Sequence, residues 1–202
     1  MKLTVAMIVG AALLPLAACD RKPAAAPMPA GTPVAPVIVG TPTPAQAGGV
    51  SADEVSALGL TFKVPNGWTA KPPANTMRLA ELHLPDSSGD PSKACIAVFS
   101  SAGGGVEANI ARWAGQVRDE SGQPATPTVS TREVAGMNVH FAEISGAFSP
   151  GMGDTRTYQN WTVHGAIIET PRGLLFIKVT GPAEAMAGAR AAFEEMVASL
   201  RA

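Results

Sequence analysis

From residue 60 to the C-terminus, hydrophobic and polar positions fall into stretches of two periods. Period-two alternation, or a short apolar run bounded by turn residues, predicts strands over 60–64 ("LTFKV"), 77–84 ("MRLAELHL"), 94–100 ("ACIAVFS"), 127–135, 137–148, 157–170 and 173–181. Pro65-Asn66-Gly67 closes the first of these as a turn. Helical spacing predicts two further elements. Over 106–120, Val106, Ile110, Trp113 and Val117 share one stripe, and Glu107 sits in the first turn, where the helix dipole favours negative charge. After Pro182, Met186, Ala189, Phe193, Met196, Val197 and Leu200 form the inward face of a terminal helix. Seven strands with one internal and one terminal helix predict an α+β domain, an antiparallel meander of about six or seven strands covered by two helices.

"SPGMGD" separates the strands over 137–148 and 157–170, so these form an antiparallel hairpin. A turn centred near Met152 places Phe141 opposite Val163, Val139 opposite Gly165, Met137 opposite Ile167, and His140 opposite His164. The other side of this pair then carries Ala142, Gly146, Asn160, Thr162 and Ala166. Such small or polar residues leave room for a covering helix with a large side chain, Trp113.

Ahead of the domain the pattern changes twice. Val5–Leu16 is apolar after a single lysine and too short to span a bilayer as a helix of about 20 residues, which fits a signal-peptide core over residues 1–18. Leu16-Ala17-Ala18-Cys19 resembles the bacterial lipobox, and the resemblance implies that Cys19 is acylated and becomes the mature N-terminus. Several acyl chains, each methylene contributing about 0.8 kcal/mol, would hold the protein at a membrane permanently. Asp20 resembles an inner-membrane retention signal. The expected location is the cell envelope, facing the periplasm, with the outer membrane as the alternative. Residues 20–50 hold seven prolines and seven alanines and almost no charge after Lys22, so they cannot bury enough apolar surface to order themselves. Residues 19–57 are therefore read as a tether reaching between about 30 Å as a coil and about 95 Å as polyproline II, and residues 58–202 as one domain.

Charge narrows the function classes. Fifteen basic and sixteen acidic residues are dispersed without a run after the tether, which argues against nucleic acid. The only cysteine left in the domain, Cys95, lies in an apolar run and reads as a small buried hydrophobe. No nucleophile-and-base spacing, paired carboxylates or HExxH pattern is present, so no enzyme, cofactor or metal is expected. Two histidines across a hairpin fall short of a zinc site. Gly103-Gly104-Gly105 precedes a helix but matches no phosphate-loop pattern.

"FKVPNGW", "MRLAELHLP", "GGGVEANIARWAGQ" and "IKVTGP" resemble a family of bacterial secreted and lipid-anchored proteins. The order of elements more distantly resembles the PsbP-like fold, also found in bacterial lipoproteins related to DcrB. The resemblance implies an antiparallel sheet between helical layers, used mostly to bind other proteins. The expected function is that of a lipid-anchored, non-enzymatic binding module or accessory of another envelope protein. It would act through its sheet edge or the face of the 106–120 helix. Carriage or sensing of a small apolar or lipid-like ligand is the alternative. Asn109, Arg112 and Gln116, spaced three and four apart, form a polar stripe suited to recognition. Met152, between two glycines at a loop tip, is a further candidate contact.

Overall fold

The computed structural model describes residues 51, 53–85, 95–101, 103–151 and 153–202. The signal segment, Cys19, the tether to residue 50 and Met152 lie outside them. The described residues form two antiparallel sheets and two helices, with more strands than the sequence pattern predicts. β1 (Glu54–Ala57) and β2 (Leu60–Lys63) form a hairpin, so residues assigned to the end of the tether are strand. The larger sheet contains β3 (Thr69–Lys71), β4 (Arg78–His83), β5 (Ile96–Ser100), β6 (Val117–Arg118), β7 (Thr128–Val134), β8 (Met137–Phe148), β9 (Tyr158–Thr170) and β10 (Gly173–Pro182). Its order is β3-β4-β5-β10-β9-β8-β6, with β7 also paired to β8. The sheet is not a simple meander, because β10 returns to fill the gap between β9 and β5.

Turn chemistry fixes the corners. Trp68 N–H donates to the Pro65 carbonyl at 3.0 Å, and Gly67 between them has φ +80°. That conformation is the type II turn at which glycine carries no steric penalty. β7 and β8 are joined by Ala135 and Gly136, both at positive φ, which is a two-residue type I′ hairpin.

Two covers make two cores. On one face, α2 (Ala183–Ala198) and the β1–β2 hairpin bury Ala80, Leu82, Phe99, Val139, Ile168, Leu175 and Ile177. Met186, Phe193, Met196, Val197 and Leu200 are buried there as the helical spacing predicts, and Phe62 meets Phe99 edge to face with centroids 5.6 Å apart. On the other face, α1 (Val106–Ala114) covers Ala142, Ile144, Val163, Ile167 and Phe176. β9 lies under both covers, which is why Trp161 to Ile168 is buried without alternation. α1 is shorter than the 106–120 stripe: Gly115 caps it, and Val117 is buried as part of β6.

The hairpin register differs from the expected one and reverses its parity. Val139 lies opposite Ile168, Phe141 opposite Ala166, Ala142 opposite Gly165, and Glu143 opposite His164. Gly146 pairs with Trp161 but Phe148 with Tyr158, so β9 holds one extra residue there, and Asn160 takes φ +53°. Such a bulge turns every later side chain of one strand to the opposite side relative to its partner. As a result Gly165, expected beside Val139 on the bulky side, faces α1. The expected small-residue seat for Trp113 is made by Gly165 and Ala142 rather than by Ala166.

Candidate functional site

The three residues of the α1 stripe separate in the structure. Asn109 points inward and is 2% exposed. Its Nδ2 donates to the carbonyls of Gly105 (2.8 Å) and Gly103 (3.4 Å), fastening the glycine loop to the helix it precedes. This is backbone stapling by Nδ2, while the buried Oδ1 of Asn109 has no hydrogen-bond partner among the described residues. Gln116, just past the helix, donates from Nε2 to the Pro150 carbonyl at 2.8 Å and accepts at Oε1 from the ammonium of Lys178. Arg112 is exposed.

Lys178, which the strand pattern of "GLLFIKVTG" conceals, is therefore part of this corner. It is half-buried on β10, with its Nζ 5.1 Å from the centroid of the Phe148 ring. Burial holds its amine well below the ordinary range, at about 8, and the Arg112 guanidinium adds to the effect. Among the described residues neither cation has a carboxylate partner. In the sheet register Val98 separates Lys178 from Glu81. Glu81 is itself occupied: it is bonded by Arg78 and lies 2.7 Å from His83 Nε2, and these bonds outweigh burial and lower its pKa. Phe148 also begins an aromatic group with Tyr158 and Trp161, whose centroids are 4.6 Å apart. The buried indole Nε1 of Trp161 has no hydrogen-bond partner among the described residues.

A second cluster lies behind β7 on the α2 face. His164 is buried, with Nε2 3.2 Å from the Met186 carbonyl and Nδ1 3.6 Å from Glu143 Oε2. Arg190 bridges Glu143 (2.9 Å) and Glu194 (3.2 Å), and Arg132 reaches Glu194 at 2.8 Å. Burial lowers the His164 pKa and so favours its neutral form. Thr128, Ser130, His164 and Arg190 are among the residues lining a cleft of about 50 Å³. That holds one or a few water molecules and is far below the roughly 300 Å³ of a small-molecule site. The charges of this cluster are mutually satisfied.

β7 in front of it is an edge strand whose residues 128–133 are all exposed, Val129 by 48%. The opposite edge, β3, has three residues and runs into Pro72-Pro73.

The two hairpin histidines do not meet. His164 faces α2, whereas His140 lies on the other side of the sheet, 2.6 Å from Glu169 and 3.0 Å from the Thr131 hydroxyl. Among the described residues no group of three or more His, Cys, Asp or Glu could hold a metal ion. Cys95 is buried against Gly181, where a β-carbon would overlap its sulfur.

No protein-family model and no curated protein matches the chain. Among solved structures it is similar to cyanobacterial PsbP (CyanoP) from Synechocystis sp. PCC 6803, determined in solution. The TM-score is 0.47 and the sequence identity 14%, over 71% of this chain and 86% of that one.

Proposed function

We propose that this protein is a lipid-anchored, non-enzymatic binding module of the cell envelope, held by acylated Cys19 and docking an extended segment of a partner protein along β7. The observation that carries this reading is the asymmetry of the two sheet edges. Soluble proteins protect sheet edges with short strands, proline, outward charge or a covering element, because exposed N–H and C=O groups pair readily with another chain. β3 is short and followed by two prolines. β7 is seven residues long, free of proline and exposed from Thr128 to Glu133, with a single exposed carboxylate, Glu133, near its end. Its arginine does not guard it, since Arg132 is drawn back onto Glu194 and over the Phe141 ring, 5.0 Å from its centroid. Strand addition takes its affinity from backbone hydrogen bonds and its specificity from alternate side chains, here Val129 and Thr131.

Photo-crosslinking in native membranes tests the docking surface. A crosslinking residue at Val129 is expected to give a discrete adduct that Thr131→Lys abolishes and that the same residue at Lys71 does not give. Silence at Val129, or an adduct only from Arg112, overturns docking at β7. The anchor is tested separately: Cys19→Ser is expected to release the protein from the membrane fraction, and a membrane-bound variant lacking acyl chains by mass spectrometry overturns it.

A further inference from the structure

We propose that Arg112 and Lys178, at the corner where α1 meets β10, bind the carboxylate group of a small organic acid, a site separate from the β7 edge. Lys178 is held at this corner within electrostatic reach of the Arg112 guanidinium, and among the described residues neither has a carboxylate partner. Lys178 cannot escape to solvent as surface lysines do, because its ammonium is bonded to Gln116 Oε1 and lies over the Phe148 ring. Gln116 cannot turn away, since its Nε2 is committed to the Pro150 carbonyl. The corner is therefore built from both sides. Five described arginines, by contrast, each have a carboxylate within ion-pair distance: Arg78, Arg132, Arg156, Arg190 and Arg201.

The geometry suits a carboxylate. A guanidinium presents a planar fork matched to two carboxylate oxygens, and a lysine adds a point charge. The adjoining ring of Phe148, stacked with Trp161 at 6.5 Å between centroids, offers an apolar surface for the body of an organic acid. The Trp161 indole donor, without a partner among the described residues, belongs to the same aromatic group. An anion placed between the two cations would also relieve the repulsion and burial that hold the Lys178 amine at about 8.

Calorimetric titration of the full chain in detergent micelles, with benzoate and inorganic phosphate as separate probes, tests the site. Benzoate is expected to saturate, with affinity falling as pH rises above 8 and the Lys178 amine loses its proton. Arg112→Gln and Lys178→Met are each expected to weaken it by roughly 10-fold or more, while Thr131→Lys leaves it unchanged. Absence of saturable benzoate binding by about 10 mM, or binding indifferent to both substitutions, overturns the site. Tighter binding of phosphate through the same two residues overturns the assignment to a carboxylate.

Discussion

The indole of Trp113 rests on the bare backbone of Gly165, so closely that a β-carbon at position 165 would overlap the ring. This contact joins α1 to the centre of the sheet, and Trp113 also meets Phe176 edge to face with centroids 6.1 Å apart. Gly165→Ala forces the ring or the helix outward and is expected to cost about 1–3 kcal/mol. Trp113→Ala removes a buried aromatic side chain and is expected to cost about 3–5 kcal/mol. The two effects share one contact, so they are not additive. In a Trp113→Ala background, Gly165→Ala should cost less than about 1 kcal/mol, measured as a urea-denaturation double-mutant cycle.

Which parts of this arrangement were legible in the chain follows from what decides each. The α2 face was readable because Met186, Phe193, Met196 and Val197 repeat at a period that no other contact overrides. Trp113 was readable as a core residue, and its need for a small-residue seat was readable too. The identity of that seat was not, because it depends on one bulged residue near Asn160 that shifts the parity of the hairpin. A left-handed asparagine gives only a weak signal for such a bulge. Asn109 looked like surface because spacing places it beside Arg112, yet the backbone carbonyls of the glycine loop turn it inward. Lys178 was hidden in an apolar strand, where alternation records which side a residue takes but not what it meets there. Strand order was equally hidden, since the return of β10 to β5 is a long-range pairing with no local mark.

The β7–β8 hairpin carries a residue poorly suited to its conformation. Ala135 has φ +50° in a type I′ turn completed by Gly136. A left-handed conformation costs a β-carbon-bearing residue roughly 1–2 kcal/mol, and asparagine bears it best. Ala135→Asn is therefore expected to stabilise the protein by about 0.5–1 kcal/mol, seen as a higher denaturation midpoint with an unchanged urea slope. Lower stability would show that the turn is not of this type.

His164 links stability to pH in a defined direction. Burial lowers its pKa in the folded state below the ordinary 6.5, so the folded protein holds fewer protons on this group than the unfolded chain does. Its contribution is complete above pH 6.5 and is lost as pH falls from there through the lower folded-state value. Glu143, Arg190 and Glu194 face it, and Arg132 and Arg190 hold Glu194 ionised by lowering its pKa. Glu81, also lowered, loses its bonds only at more acidic pH, beneath its ordinary 4.5. The melting temperature of the wild type should thus fall between pH 7 and 5, and His164→Gln, which keeps a donor for the Met186 carbonyl, should flatten that fall. An equal slope in both proteins would remove His164 as the cause.

Lys178 gives a prediction that opposes the usual effect of removing a bonded side chain. Holding its amine at about 8 rather than the ordinary 10.5 means that the protonated form is penalised in the folded state. At neutral pH this amounts to roughly 3 kcal/mol, against which the bond to Gln116 returns about 1–2 kcal/mol. Lys178→Met keeps the length of the side chain and removes the charge, so it should raise stability at pH 7 by about 1–2 kcal/mol. The difference should shrink as pH rises from 8 towards 10.5, because the wild type then sheds the buried charge while the variant has none to shed. Parallel urea titrations at pH 7 and 10 distinguish this from simple repacking, which would give the same difference at both. A residue that lowers stability where methionine would raise it is the pattern of a binding group kept for what it holds. A destabilised variant would instead make Lys178 a structural tie between α1 and β10.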